Sequence, residues 1–280
     1  MAAIDFIKMH GLGNDFVVID TRRQPLAIDA ELARAIADRR TGIGCDQLVI
    51  LEPPRAAGAE IFVRFRNADG EEAGACGNGT RCVAALMMET AGAERTIVET
   101  VSGLLEARRA PEGRVTVDMG EARTDWRGIP LAKPQDTLHV DLALGPLADP
   151  VCTSMGNPHA TFFVPDIAAI EIEQWGPELE FDPLFPERAN IGVVQVLSPE
   201  RLRLRVWERG AGLTRACGTG ACAALVAAAR RGLTGRRAEV IVDGGVLVIE
   251  WLANGHVAMT GPVAVAFRGS FDPAQLAAAA

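Results

Sequence analysis

The chain carries one long stretch of text twice. Residues 64–80 and 205–221 align without a gap. Arg64 stands opposite Arg205, Ala75-Cys76-Gly77 opposite Ala216-Cys217-Gly218, and Gly79 opposite Gly220, each pair 141 positions apart. Upstream, Gly13-Asn14 falls opposite Gly156-Asn157 and Gln47 opposite Asn190, at an offset of 143. Downstream, Gly120 falls opposite Gly261. A period this long marks a duplicated domain, because solenoid repeats run only ~20–45 residues. Polar positions recur in order along both halves, which two Gly-Ala-rich helix starts would not share by chance. With 280 residues there is room for two domains of the usual ~100–200 residues. The expected division is 1–121 and 122–263, with the tail 264–280 packing back on the first domain.

Hydrophobic patterning supplies the elements. Strands are expected over 4–9, 16–20, 48–51, 61–65, 96–100, 104–108 and 115–118, and helices over 30–39 and 79–89. The second half repeats this with strands over 159–164, 191–197, 202–207, 240–243, 246–251 and 257–260, and a helix over 220–231. One central helix amid many short strands predicts an α+β fold. It would hold two pseudo-symmetric domains, each a curled, mostly antiparallel sheet wrapped around a central helix, with the active site in the cleft between them. The Pro- and Gly-containing stretch 121–150 reads as the crossover. Residues 277–280 read as a low-complexity tail without a function.

Composition removes several classes of function. The formal net charge of −8 argues against nucleic acid or an anionic membrane as a partner of the whole chain. The longest apolar run, 221–229, is less than half of the ~20 residues a membrane span needs. Asp5 comes early and no long apolar stretch follows the N-terminus, so no secretory signal is read. The six cysteines are then expected as thiols in a reducing cytoplasm. Tyrosine is absent, so no phenol is on hand as a catalyst.

Cys76 and Cys217 each precede a Gly-rich helix start. A helix N-terminus offers unpaired N–H groups and partial positive charge, which favour a thiolate and bind a carboxylate. If the duplicated domains face each other, a substrate carboxylate is held with a sulfur on each side of its α-carbon. One thiolate removes the α-proton and one thiol returns a proton to the opposite face, which inverts the centre. Helix N–H groups would stabilise the enolate-like charge. Cys45, Cys82, Cys152 and Cys222 read as small buried hydrophobes. Cys76 and Cys82, or Cys217 and Cys222, lack the spacing of a CxxC metal pair, so no metal is expected.

Asn14, Gln47, Asn67, Asn157 and Asn190 supply neutral donors and acceptors around these thiols. Glu208-Arg209 stands where the first half has Asn67-Ala68, so the halves differ there. An Arg grips a carboxylate in two places and a neighbouring Glu takes an ammonium, which together suit a second amino-acid head group. His159 is placed to orient the thiols or the substrate.

These residues occur in a set of motifs: His10-Gly-Leu-Gly-Asn-Asp-Phe16, Gly44-Cys-Asp-Gln47, Phe65-Arg-Asn-Ala-Asp-Gly70, Ala75-Cys-Gly-Asn-Gly-Thr-Arg-Cys82, Met155-Gly-Asn-Pro-His159, Asn190-Ile, Trp207-Glu-Arg-Gly210 and Ala216-Cys-Gly-Thr-Gly-Ala221. Taken together, the set resembles the diaminopimelate epimerases, which interconvert LL- and meso-diaminopimelate without pyridoxal phosphate or another cofactor, in lysine and cell-wall precursor biosynthesis. The resemblance implies that Cys76 and Cys217 are the acid/base thiols and that His159 and Glu208 assist them. It implies that Gly77, Asn78, Gly218 and Thr219 cradle the reacting carboxylate. Asn14, Gln47, Asn67, Asn157, Asn190, Glu208 and Arg209 would form the substrate shell, and a homodimer is expected. The family often has a Tyr near the C-terminus that adds to dimer packing, and here that place is Phe267. Two other readings compete. Proline and hydroxyproline racemases share the two-thiol design, but they typically carry His where this chain has Asn78. A dithiol redox sensor would use Cys76 and Cys217 as a disulfide switch.

Overall fold

A computed structural model describes residues 3–22, 26–74 and 76–279, with side chains at 277–279 left undescribed. Of the expected low-complexity tail, residue 280 and those side chains lie outside the described residues. The chain divides into two compact units, Met1–Val117 with Gly261–Ala280, and Asp118–Thr260.

The first unit opens with β1 (Ile4–Gly11) and β2 (Asn14–Asp20), followed by α1 (Ala30–Ala37), β3 (Gln47–Glu52), β4 (Ile61–Asn67) and β5 (Glu72–Ala73). It continues with α2 (Gly77–Ala91), β6 (Arg95–Thr100), β7 (Gly103–Arg109) and β8 (Val115–Glu121). The second unit holds a small hairpin of β9 (Ala143–Leu144) and β10 (Leu147–Ala148), then β11 (Val151–Ser154), β12 (Pro158–Phe163), α3 (Ile172–Glu180) and β13 (Asn190–Ser198). It ends with β14 (Arg201–Glu208), β15 (Gly212–Thr214), α4 (Gly218–Arg230), β16 (Arg237–Val242), β17 (Gly245–Trp251) and β18 (His256–Gly261). The chain then returns to the first unit as β19 (Ala264–Phe271) and α5 (Pro273–Ala279).

Strand order repeats between the units. In the first, β1-β2-β3-β4-β6-β7-β8 lie side by side with β5 against β4. In the second, β11-β12-β13-β14-β16-β17-β18 lie in the same order with β15 against β14. The parallel pairs fall in the same places, β2 with β3 and β4 with β6, then β12 with β13 and β14 with β16. Register follows the duplication residue by residue: Phe16 pairs with Gln47, and His159 with Asn190. The offset falls from 143 to 141 because the link from β3 to β4 spans 53–60, whereas β13 runs on to Ser198 and turns at once into β14. β19 has no counterpart in the second unit and pairs with β1.

Each sheet curls around one helix. α4 packs against β11, β12, β13, β14, β16 and β17, and residues 220–228 are all buried. A helix apolar on every side belongs in a core, and its alanines let strands approach from several directions. α2 packs similarly against β1, β2, β6 and β7. Gly79 and Gly220 are equivalent positions that permit this closeness. A Cβ on Gly79 would meet Phe65 Cε1 at 2.5 Å, and one on Gly220 would meet Val206 Cγ2 at 2.9 Å. Phe65 and Val206 are themselves partners in the repeat.

Several elements differ from the sequence expectation. α1 stops at Ala37 rather than 39, since the Asp38 carboxylate accepts from the N–H groups of Arg40 and Thr41 and turns the chain out of the helix. α2 and α4 both begin two residues before the expected start. Strand β11 and helix α3 were not expected. α3 has no side-chain cap at its N-terminus and carries Gly176-Pro177 inside it, which reads locally as a helix break.

Candidate active site

The two equivalent cysteines do the same local job. Cys76 caps α2 and Cys217 caps α4, each with extended backbone angles. The Cys76 sulfur accepts the Gly79 N–H at 3.4 Å and the Cys217 sulfur accepts the Gly220 N–H at 3.3 Å. Cysteine thus replaces the usual Ser, Thr or Asp cap, and a sulfur sits against the positive end of each helix. Gly77 and Gly218 are the first helical residues beside these sulfurs.

In the first unit, neutral amides surround the thiol. The Cys76 thiol donates toward Asn14 Oδ1 at 3.7 Å, and Asn78 Nδ2 donates to the same oxygen at 3.1 Å. Asn14 is oriented from behind, its Nδ2 donating to Asp46 Oδ2 at 3.0 Å. Asn78 is oriented by the fully buried Arg81, whose Nη2 donates to its Oδ1 at 2.9 Å. On the paired strands β3 and β4, Gln47 Nε2 donates to Asn67 Oδ1 at 2.8 Å. Gln47 Oε1 is buried with no hydrogen-bond partner, so an acceptor is left unfilled. Below these groups, Asp15 binds Lys8 and accepts from Arg39 at 2.6 Å, while Arg39 also reaches Asp46 at 2.7 Å. Burial works to raise the Asp15 pKa, but hydrogen bonds from Arg39 and Lys8 and the Lys8 charge outweigh it and hold the carboxyl well below the usual range.

In the second unit a carboxylate faces the thiol. Cys217 is 4% exposed, and its thiol donates to Glu208 Oε2 at 3.0 Å. Thr214 Oγ1 donates to the other Glu208 oxygen. Burial pushes the Cys217 thiol far up, and the Glu208 charge and hydrogen bond add to it. Burial also raises Glu208, against hydrogen bonds from Thr214 and Cys217. The thiol therefore keeps its proton in this state. Thr219 Oγ1 lies 3.6 Å from the Cys217 sulfur and accepts from Asn157 Nδ2 at 3.3 Å. His159 Nε2 lies 3.0 Å from Asn157 Oδ1. Burial and the Arg209 charge push His159 down to about 3, so at neutral pH it is an uncharged donor to Asn157. Asn190 Nδ2 donates to the Pro158 carbonyl at 3.0 Å, and its Oδ1 accepts the Arg209 N–H at 3.0 Å. The Arg209 guanidinium donates to the Glu187 carbonyl at 2.7 Å.

The structure thus links Cys76, Asn14 and Asn78 in one unit, and Cys217, Glu208, Thr219, Asn157 and His159 in the other. Gln47 with Asn67, and Asn190 with Arg209, form separate pairs. Asp46, Arg81, Thr214 and Glu180 carry weight that the sequence pattern did not give them. Asp46 and Arg81 lie inside the motifs around Cys45 and Cys76, and Thr214 falls opposite Ala73, a polar-for-apolar change that marks it. Glu180 lies on the unexpected helix. Cys45, Cys82, Cys152 and Cys222 are all buried, and burial raises the first three to about 12. Among the described residues there is no group of three or more His, Cys, Asp or Glu side chains placed to hold a metal ion.

A duplicated sheet-and-helix unit defines a fold class that solved structures share. The hydroxyproline epimerase of Agrobacterium vitis, solved with trans-4-hydroxy-L-proline, matches with a TM-score of 0.70 over 98% of this chain and 94% of that one, at 15% identity. At that identity the likeness shows the fold. The sequence comparisons are more specific: the diaminopimelate epimerase family model matches residues 6–124 and 151–266. The diaminopimelate epimerase of Rhodospirillum centenum is 60% identical over 95% of this chain and 92% of its own length. That of Acidiphilium cryptum is 57% identical over 99% of both. The chain belongs to the diaminopimelate epimerase family, and it is an isomerase of that kind. The resemblance drawn from the motifs is borne out, as is the sheet-dominated α+β fold.

Proposed function

We propose that the chain interconverts LL- and meso-diaminopimelate by moving a proton between the two faces of one α-carbon, with Cys76 and Cys217 as the two acid/base groups. The observation that carries this is the repeated cap: in each unit the sulfur sits at a helix N-terminus, held by the N–H three residues on. In this reading a substrate carboxylate is taken by the N–H groups of a helix start, Gly77-Asn78 in one unit and Gly218-Thr219 in the other, and these groups stabilise charge as the α-proton leaves. The electrostatics differ on the two sides. Glu208 holds the proton on Cys217, while amides surround Cys76, so Cys76 takes the proton in the direction for which Cys217 gives one. His159 supports this uncharged, by fixing Asn157 and through it Thr219. Gln47, with an acceptor unfilled, suits a substrate ammonium. Glu208 and Arg209 read the distal amino-acid group.

The same reading includes a homodimer and a cytoplasmic setting. β19 exposes Val265 and Phe267, the latter 50% accessible, on a strand that pairs with β1. Among the described residues no helix is long and apolar enough to cross a membrane. L-Proline, the substrate type of the fold's proline-directed racemases considered from the sequence, serves as the control. Purified chain incubated in deuterated water with LL-diaminopimelate, and separately with L-proline, tests the reading. Deuterium entering the α-position of diaminopimelate with formation of the meso isomer supports the proposal. Exchange into proline alone would refute it.

A further inference from the structure

Glu180 is a buried carboxylate at the end of α3, 3% exposed, with its donors supplied from three places in the second unit. Its Oε2 accepts Trp207 Nε1 at 2.8 Å. Its Oε1 accepts the Gly210 N–H at 2.9 Å and Arg188 Nη1 at 3.2 Å. The first two donors bracket Glu208-Arg209, one residue before and one after. The third, together with Ala189 N–H on the Glu180 carbonyl at 3.2 Å, ties down the segment that leads into Asn190. That segment also supplies the Glu187 carbonyl on which the Arg209 guanidinium rests. Arg188 holds φ at 58°, a left-handed angle that a non-glycine residue adopts only when its surroundings enforce it. α3 itself is seated on Trp207, since a Cβ on Gly176 would meet Trp207 Cγ at 2.5 Å.

The duplication sets this clamp apart. The position opposite Glu180 is Ala37, those opposite Arg188 and Trp207 are Cys45 and Arg66, and the first unit has Asn67-Ala68 in place of Glu208-Arg209. The carboxylate clamp occurs only in the half that carries the charged pair.

We infer that Glu180 is a positioning residue for substrate selectivity: it sets the backbone on both sides of Glu208-Arg209 and so aims the two charges that read the distal head group. This rests on the assignment of Glu208 and Arg209 to substrate binding. A guanidinium gripping a carboxylate in two places is sensitive to displacement of its backbone, and misplacement by about 1 Å costs on the order of a hundredfold. A glutamine at 180 keeps the shape but turns one acceptor into a donor facing donors.

The full chain with Glu180→Gln, Trp207→Phe, Arg209→Lys or the exposed-surface control Glu178→Gln is assayed for kcat and KM on diaminopimelate, with thermal melting alongside. Glu180→Gln is expected to raise KM roughly 10- to 100-fold, with kcat per folded enzyme within about threefold and Glu178→Gln unchanged. Trp207→Phe, which removes one donor, should raise KM less. A lower melting temperature with KM unmoved in both variants would make Glu180 merely structural and overturn the inference. If Glu180→Gln does not fold, the KM of Trp207→Phe decides by itself: raised, it supports the positioning role, and unmoved, it overturns it. Arg209→Lys separates the two levels. No change in its KM refutes the assignment of Arg209 itself, whereas a raised KM there beside normal values at 180 and 207 refutes only the positioning role.

Discussion

At the scale of the residue, the two thiols are alike in their caps and unlike in their neighbours. Both are needed if inversion uses two groups, so Cys76→Ala and Cys217→Ala should each abolish epimerisation. Cys152→Ala, a core position away from either helix start, should keep most of it. Full activity in Cys217→Ala would end the two-thiol account. The neighbours make a separate prediction. Burial and Glu208 both raise the Cys217 thiol, so Glu208→Gln removes an anion and should shift its ionisation to lower pH. The ultraviolet absorbance of thiolate, titrated in Cys76→Ala with and without Glu208→Gln, reads this directly. The other buried thiols, Cys45, Cys82, Cys152 and Cys222, are common to both titrations, so the difference between them belongs to Cys217. The cysteines were legible because duplication repeats them at a fixed offset. The contact between Cys217 and Glu208 was not, because it forms only when β14 and β15 fold back beside the start of α4.

Elements succeed or fail here on close approach. Gly79→Ala would gain helix propensity, worth about 0.5–1 kcal/mol. Against this, its Cβ would strike the Phe65 ring, which is fully buried and has no room to move. Overpacking, at about 1–3 kcal/mol, wins, and a net loss of about 0.5–2 kcal/mol is expected in urea unfolding. Gly235→Ala, where a Cβ meets nothing within 4 Å, should be near neutral. The Lys8-Asp15-Arg39 cluster ties β1 and β2 to the segment after α1. Asp15→Asn leaves the buried Lys8 without its counter-charge and should cost on the order of 3 kcal/mol. Because the folded Asp15 pKa is depressed, its contribution is fully present above the unfolded value near 4 and lost as pH falls through the folded one. The gap between wild type and variant in unfolding free energy should therefore narrow below about pH 4. Strands with period-two burial and helices with clear caps were legible in the sequence. α3 was hidden, since it is held by packing on Trp207 and by the Glu180 hydrogen bonds rather than by its own local signals.

For the whole molecule, selectivity and assembly are the measurable properties. Two nearly equivalent helix starts would accept many α-amino acids, so the proposed reading assigns discrimination to Glu208 and Arg209. An unmet charge there costs about 1–3 kcal/mol or more. Lysine and 2-aminopimelate should accordingly be worse than diaminopimelate by roughly a hundredfold or more in kcat/KM. Equal values would show that the pair does not read the distal centre. If the proposed homodimer forms through β19, Phe267→Glu should lower the sedimenting mass to that of one chain, with Phe6 keeping its contact to Phe271; an unchanged mass would overturn that interface. The sequence by itself determined the duplication, the order of most elements, the two helix-capping thiols and the family, because each is written in local pattern or in repeated text. Only the tertiary structure decided which neighbours tune those groups. Asp46 behind Asn14, Glu208 on Cys217 and Glu180 around Arg209 are contacts made by folding and not by spacing, whereas Arg81 behind Asn78 is an i,i+3 pair that the helix itself supplies. A side chain's charge and hydrogen-bond partners depend on what the fold brings within about 3 Å of it, and sequence proximity leaves most of that open.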